Sequence, residues 1–203
     1  MSIKKQWQLA RNSFKDRDMW TFANILTVAR VLLLPPIIVC FFVESSVGAL
    51  AAYVCFGLYV LAAVTDFFDG WVARKFNQIT AFGTFLDPIS DKIFVSALMI
   101  MLIAFGRLEG LWILPVIAIM SRELLISGLR EFLGGEDVKM PVTNLAKWKT
   151  TVQMVALGLL ILGPLNPLIL MAGQVGLLVA AALTLVTGWK YLQVGMEVIK
   201  KMA

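Results

Sequence analysis

The chain has 203 residues, 60% of them hydrophobic and 15% charged, with a mean hydropathy of +0.85, which excludes an ordinary soluble domain. It contains no histidine, so imidazole bases and the usual zinc or haem ligands are excluded and acid–base work falls to carboxylates. The net charge of +5 is carried beside apolar runs, where it suits anionic lipid headgroups, and nucleic acid is not an expected partner. Cys40 and Cys55 lie inside apolar runs with no CxxC pair, which indicates neither a disulfide framework nor a zinc site.

No Ser/Gly-rich linker separates the apolar runs, so the reading is an all-α integral membrane protein: residues 21–203 form one domain of six transmembrane helices, and residues 1–20 precede it as an amphipathic surface helix. In residues 3–18, Ile3, Trp7, Leu9, Ala10 and Phe14 lie among Lys4, Lys5, Arg11, Lys15 and Arg17, a spacing that suits a basic helix lying on the membrane, the alternative being a solvated basic leader. The first span begins at Asn24 and runs for roughly twenty residues, long enough to cross a bilayer. Pro35 and Pro36 in its middle should kink it. Arg30 inside it would cost about 2.5 to 3.5 kcal/mol on insertion scales. Asn24, Thr27 and Arg30 recur every third position and share a face, so they are either functional, or Asn24 caps the helix and Arg30 snorkels.

A loop at Glu44 to Ser46 leads to a second run, Val47 to about Val72. Pro88 is compatible with a helix only in its first turn, so the third helix should start between Gly83 and Asp87 and reach Gly106. The fourth span covers Leu111 to about Leu129. A polar segment, REFLGGEDVKMPVTNLAKWKT, precedes the fifth, about Thr151 to Leu162, and GPLNP turns the chain into the sixth, about Leu168 to Trp189. With the N-terminus inside, the outer loops hold one of the eighteen Lys and Arg residues. That bias puts both termini in the cytoplasm.

The chemistry concentrates between Asp66 and Asp91, in DFFDGWVARKFNQITAFGTFLDPISD. Asp66 and Asp69 project from one helix face, and so do Asp87 and Asp91. Four carboxylates aimed at one point would repel one another unless cations lay between them, which points to a hard divalent metal. Gly70, Ala73 and Gly83 lack bulk where a nucleotide would approach the backbone, and Arg74 offers a fork of donors for phosphate. The stretch fits DxxDGxxARx8GxxxDxxxD at all of Asp66, Asp69, Gly70, Ala73, Arg74, Gly83, Asp87 and Asp91. By chance such a match arises on the order of once in a billion starts.

This signature resembles that of the CDP-alcohol phosphotransferase family, integral membrane enzymes of phospholipid synthesis. The resemblance implies a centre of two Mg²⁺ or Mn²⁺ ions per active site, with Asp66, Asp69, Asp87 and Asp91 as ligands and Asp91 also as the base that takes the proton of the attacking hydroxyl. It implies that Gly70, Arg74 and Thr80, with Ala73 and Gly83, hold the CDP moiety, and that Asn24 to Thr27 close over it. The implied donor is CDP-diacylglycerol, the implied assembly a homodimer in the bilayer, and the implied place the bacterial cytoplasmic membrane, with the site facing the cytoplasm.

The acceptor is read from a second basic set. Arg122, Arg130, Lys147 and Lys149 lie on the predicted cytoplasmic side. They could bind a second anion, which favours a phosphorylated acceptor, or they could serve only to fix topology. With the AKWKT and NILTVARVLLLP segments, the chain is similar to the branch of the family whose acceptor is sn-glycerol 3-phosphate. The alternatives are branches that use phosphatidylglycerol or an inositol phosphate and, from a different class, a cation transporter with an acidic metal site.

Overall fold

The computed structural model describes residues 21–75, 81–133 and 144–202, and the expected surface helix of residues 3–18 lies outside them. Six α-helices and no strands are found among the described residues: α1 Phe22–Val47, α2 Ala49–Lys75, α3 Ala81–Ala104, α4 Ile113–Leu133, α5 Asn144–Ile161 and α6 Pro167–Met202. Short 3₁₀ turns at Gly110–Trp112 and Gly163–Leu165 precede α4 and α6.

Each helix covers one of the apolar runs, with three instructive differences. The expected loop at Glu44 to Ser46 is helical, and the break falls at Gly48. Gly48 takes φ +66° and its N–H donates to the Glu44 carbonyl at 2.8 Å. This left-handed C-terminal stop is open to glycine because it has no Cβ. The third helix starts at Ala81, earlier than Pro88 alone would dictate, so the proline sits inside it. Membrane helices tolerate such a lost N–H; next to the proline, Ser90 Oγ donates to the Asp87 carbonyl at 3.0 Å. The fifth helix starts at Asn144, so AKWKT is helical rather than part of a polar connection.

The start of α6 follows its sequence closely. Asn166 is extended and its Oδ1 accepts the Leu168 N–H at 2.8 Å, while Pro167 occupies the first helical position, where no N–H is required.

Among the described residues, four segments are long and apolar enough to cross a membrane: Asn24–Val47, Ala49–Asp66, Gly110–Leu129 and Pro167–Val198. Only 22% to 33% of each is buried within the protein. Large side chains such as Leu32, Phe42, Leu50, Leu114 and Met171 are exposed on them, as expected for helices whose outer faces meet lipid rather than water. The remaining two fall short for different reasons. Asp87, Asp91 and Lys92 interrupt the first half of α3, and only Trp148–Ile161 of α5 is continuously apolar.

The helices cluster into two compact units, Met1–Val39 with Gly57–Ala97 and Cys40–Phe56 with Leu98–Ala203. In the first, Leu34, Ile37, Ala62 and Phe94 are buried, and the Tyr59 ring stacks on Phe94 with centroids 6.2 Å apart. In the second, α6 packs on α4 and α5 around Val116, Ile119, Leu157, Leu160 and Leu177. Gly173 lets α6 approach α5, since a Cβ there would lie 2.8 Å from Leu160 Cγ and 3.0 Å from its backbone nitrogen. At the start of the Leu98–Ala203 segment, Arg107 pairs with Glu44 and its carbonyl accepts Gln174 Nε2 at 3.0 Å.

Candidate active site

The polar face foreseen on the first span is built inward. Asn24, Thr27 and Arg30 are each at most 3% exposed, although they belong to a helix whose other faces carry Ile25, Leu32 and Val39 to the outside. Asn24 does not cap α1. Thr21 does, accepting the Asn24 N–H on Oγ1 at 3.4 Å as an N-cap hydroxyl does, and the Asn24 side chain is buried in the first turns.

Two contacts tie this face to the signature. Thr27 Oγ1 donates to Asp87 Oδ1 at 2.7 Å, and Arg30 Nη2 forms an ion pair with Asp66 Oδ1. Arg30 therefore does not snorkel. A buried guanidinium is tolerated in a membrane helix when a carboxylate meets it. Asp66 stands near the end of α2 and Asp87 near the start of α3, so α1 brings the two halves of the signature to neighbouring positions along one helix face.

The carboxylates keep access to the outside. The Asp66 side chain is 48% exposed despite its ion pair, and Asp87 and Asp91 are both exposed. Gly83 is buried on α3. Asp69, Gly70, Ala73 and Arg74 occupy helical positions of α2, but their side chains lie outside the described residues, as does Thr80 entirely. Among the described residues no group of three or more carboxylates could hold a metal ion, and Asp69 is not among the side chains described. The donor set itself suits a hard cation: exposed carboxylate oxygens, with no imidazole or thiolate beside them.

The second basic set is organised within the other unit. Arg122 on α4 donates through Nη1 to Glu123 Oε1 at 3.3 Å and through Nη2 to Thr187 Oγ1 on α6 at 3.5 Å. Its guanidinium carbon lies 5.7 Å from the centre of the Tyr191 ring, within cation–π range. Its stem passes Gly188, where a Cβ would fall 2.8 Å from Arg122 Cγ and 3.1 Å from Nε. Lys149 on α5 is buried and its Nζ donates to the same Glu123 Oε1. Arg122 also lines a mainly apolar cavity of about 680 Å³, with Ser121, Leu125, Leu185 and Trp189 among its walls. Arg130 and Lys147 are helical, and their side chains lie outside the described residues.

Three residues that contact the candidate side chains were not among the site residues singled out from sequence. Arg30 carried a signal, since it shares the three-residue spacing of Asn24 and Thr27. Glu123 and Gly188 carried none, because their importance arises from partners on other helices.

Comparison with known proteins agrees with the signature. The family model for CDP-alcohol phosphatidyltransferase matches residues 20–187. The chain is 43% identical over 171 residues to a CDP-diacylglycerol–glycerol-3-phosphate 3-phosphatidyltransferase of Rickettsia bellii, covering 83% of this chain and 91% of the relative. It is 40% identical over 174 residues to the protein of the same name from Haemophilus influenzae, covering 83% and 90%. A cardiolipin synthase (CMP-forming) of Oryza sativa is 40% identical over 153 residues, covering 70% of this chain and 45% of that one. With a match across most of its length and the complete signature inside it, the chain belongs to the CDP-alcohol phosphatidyltransferase family, membrane transferases of phospholipid biosynthesis.

Proposed function

We propose that the protein transfers the phosphatidyl group of CDP-diacylglycerol to sn-glycerol 3-phosphate, giving phosphatidylglycerophosphate and CMP. The observation that carries this reading is the docking of Thr27 on Asp87 and of Arg30 on Asp66, which ties one carboxylate from each half of the signature to the buried polar face of α1. The names of the Rickettsia and Haemophilus relatives support the choice of acceptor.

In this reading a hydroxyl of the acceptor attacks the lipid-side phosphorus of the diphosphate. The new P–O bond forms as the bond to CMP breaks, CMP departs with the electron pair, and the hydroxyl proton passes to Asp91. Asp66, Asp69, Asp87 and Asp91 would hold two divalent cations, Mg²⁺ or Mn²⁺, and these would neutralise charge on the diphosphate. Arg74, Gly70, Ala73, Thr80 and Gly83 receive the cytidine diphosphate, with Asn24 and Thr27 covering it. Arg30 holds Asp66 in place. Arg122 and Lys149, with Arg130 and Lys147, take the phosphate of the acceptor.

In this reading both termini and the acidic group lie at the cytoplasmic face of a bacterial inner membrane, an orientation that the Lys and Arg bias supports. The family resemblance favours a homodimer.

A second reading, with phosphatidylglycerol as acceptor, draws on the rice relative. It gives two buried cations a phosphodiester with one charge, where glycerol 3-phosphate brings close to two. A cation transporter would leave Gly70, Ala73, Arg74 and Gly83 without a role. The deciding experiment is CMP release by the purified protein from CDP-diacylglycerol and Mg²⁺ with a panel of acceptors. Release is expected with glycerol 3-phosphate and not with serine, inositol phosphate or phosphatidylglycerol, and is expected to cease when the metal is chelated. Release with another acceptor alone overturns the assignment, and no release with any overturns the reaction.

A further inference from the structure

Arg122 and Lys149 share one carboxylate oxygen. Both cations are well buried, with 11% and 9% of their side chains exposed, whereas Glu123 is 33% exposed. Glu123 Oε1 lies 3.3 Å from Arg122 Nη1 and accepts Lys149 Nζ as well. The two cations come from different helices, α4 and α5, and the oxygen between them has the charge and donor geometry of a phosphate oxygen held by an Arg and a Lys.

We infer that Glu123 is a resident competitor for the acceptor's anionic group and thereby sets the charge that an acceptor must carry. This rests on the reading of Arg122 and Lys149 as the acceptor-phosphate pair. The physical argument runs through three observations. Two buried like charges repel, so the empty pair requires a counter-anion, and Glu123 supplies it. Glu123 is the most exposed of the three, so it can turn outward without uncovering the cations. An incoming group must outbid one full negative charge already in position. A phosphate monoester, which carries about −1.5 to −2 near neutral pH, can do so. A phosphodiester with one charge gains nothing by the exchange, and a neutral alcohol has no means to displace the carboxylate. The remaining supports of Arg122 on α6 keep the guanidinium in place while the exchange occurs: the Thr187 hydroxyl at 3.5 Å and the Tyr191 ring at 5.7 Å.

The test is steady-state kinetics of the full-length enzyme in lipid nanodiscs. In the unaltered protein, the methyl ester of glycerol 3-phosphate, with one charge, should show a KM at least about tenfold above that of glycerol 3-phosphate. Glu123→Gln keeps the shape and an accepting oxygen but removes the charge. It should lower the KM for glycerol 3-phosphate by about three- to tenfold, leave the KM for CDP-diacylglycerol unchanged, and narrow the gap between the two acceptors. Glu123→Asp should restore part of the discrimination. Equal use of both acceptors by the unaltered enzyme overturns the inference without need of a variant. So does a Glu123→Gln protein whose acceptor KM rises, since the carboxylate would then be a simple positioning group. Arg122→Gln and Lys149→Gln separate the two levels. If both raise the acceptor KM while Glu123→Gln fails to lower it, the inference alone falls. If neither changes the acceptor KM, the acceptor-site reading falls and takes the inference with it.

Discussion

Arg30 on α1 meets Asp66 on α2 in an ion pair of unequal members, the arginine side chain 4% exposed and the aspartate 48%. The inequality separates stability from activity. Arg30→Met removes the buried charge and leaves a carboxylate that water can reach, so thermal stability should change by no more than about 1 kcal/mol. Turnover should fall at least about tenfold, because Asp66 loses the group that orients it. Asp66→Asn instead takes that countercharge away from a buried guanidinium and should cost about 3 kcal/mol as well as activity. Thermal unfolding in detergent alongside CMP release checks both.

Thr27 offers a hydroxyl to Asp87 at 2.7 Å from a position that is almost fully buried. A hydrogen bond to a charged group is worth about 1.5 to 3 kcal/mol, and the exposure of Asp87 lets water replace part of it. Thr27→Val should therefore lower kcat/KM for CDP-diacylglycerol by about tenfold, or some 1.4 kcal/mol. Thr27→Ser keeps the hydroxyl and should recover most of the loss. A Thr27→Val protein that works normally beside an impaired Thr27→Ser would mean that the methyl group, not the hydroxyl, is what the site requires.

Asp91 lies one helical turn beyond Asp87 on α3 and is exposed. As the proposed base it should be indispensable for the chemical step. Asp91→Asn should reduce turnover by at least about a hundredfold, in the range of general-base contributions. Binding of CDP-diacylglycerol, followed by equilibrium titration, should weaken far less, since Asp66, Asp69 and Asp87 remain. A variant that turns over normally would remove Asp91 from the role.

Gly188 sets the path of Arg122. A methyl group there would press on Cγ at 2.8 Å, near the root of the side chain, where little flexibility is available. Gly188→Ala should displace the guanidinium from Thr187 and Tyr191 and raise the KM for the acceptor about fivefold, a loss of roughly 1 kcal/mol. The KM for CDP-diacylglycerol should stay unchanged. Paired kinetics in each substrate distinguish this from a general loss of packing.

The signature stretch and the helices were legible for local reasons. A run of apolar residues long enough to span a bilayer must become a helix, because no water is available to satisfy its backbone. Spacings of three and four along such a helix place Asp66 with Asp69 and Asp87 with Asp91 whatever else the chain does. Boundaries were less legible where two local rules competed. Helix propagation carried α1 through Glu44 to Ser46 until Gly48 offered a stop, and carried α3 back past Pro88 to Ala81.

The sequence by itself determined a histidine-free helical membrane protein with an acidic signature bracketed by apolar runs. Only the tertiary structure decided which distant residues meet. Thr27 and Asp87 are separated by 60 positions and Lys149 and Glu123 by 26; no periodicity encodes either meeting, which depends on how each helix is rotated about its axis when apolar faces pack. That rotation turned Arg30 from a possible snorkelling charge into the buried partner of Asp66, and made Glu123, silent in the sequence, the shared counter-anion of Arg122 and Lys149.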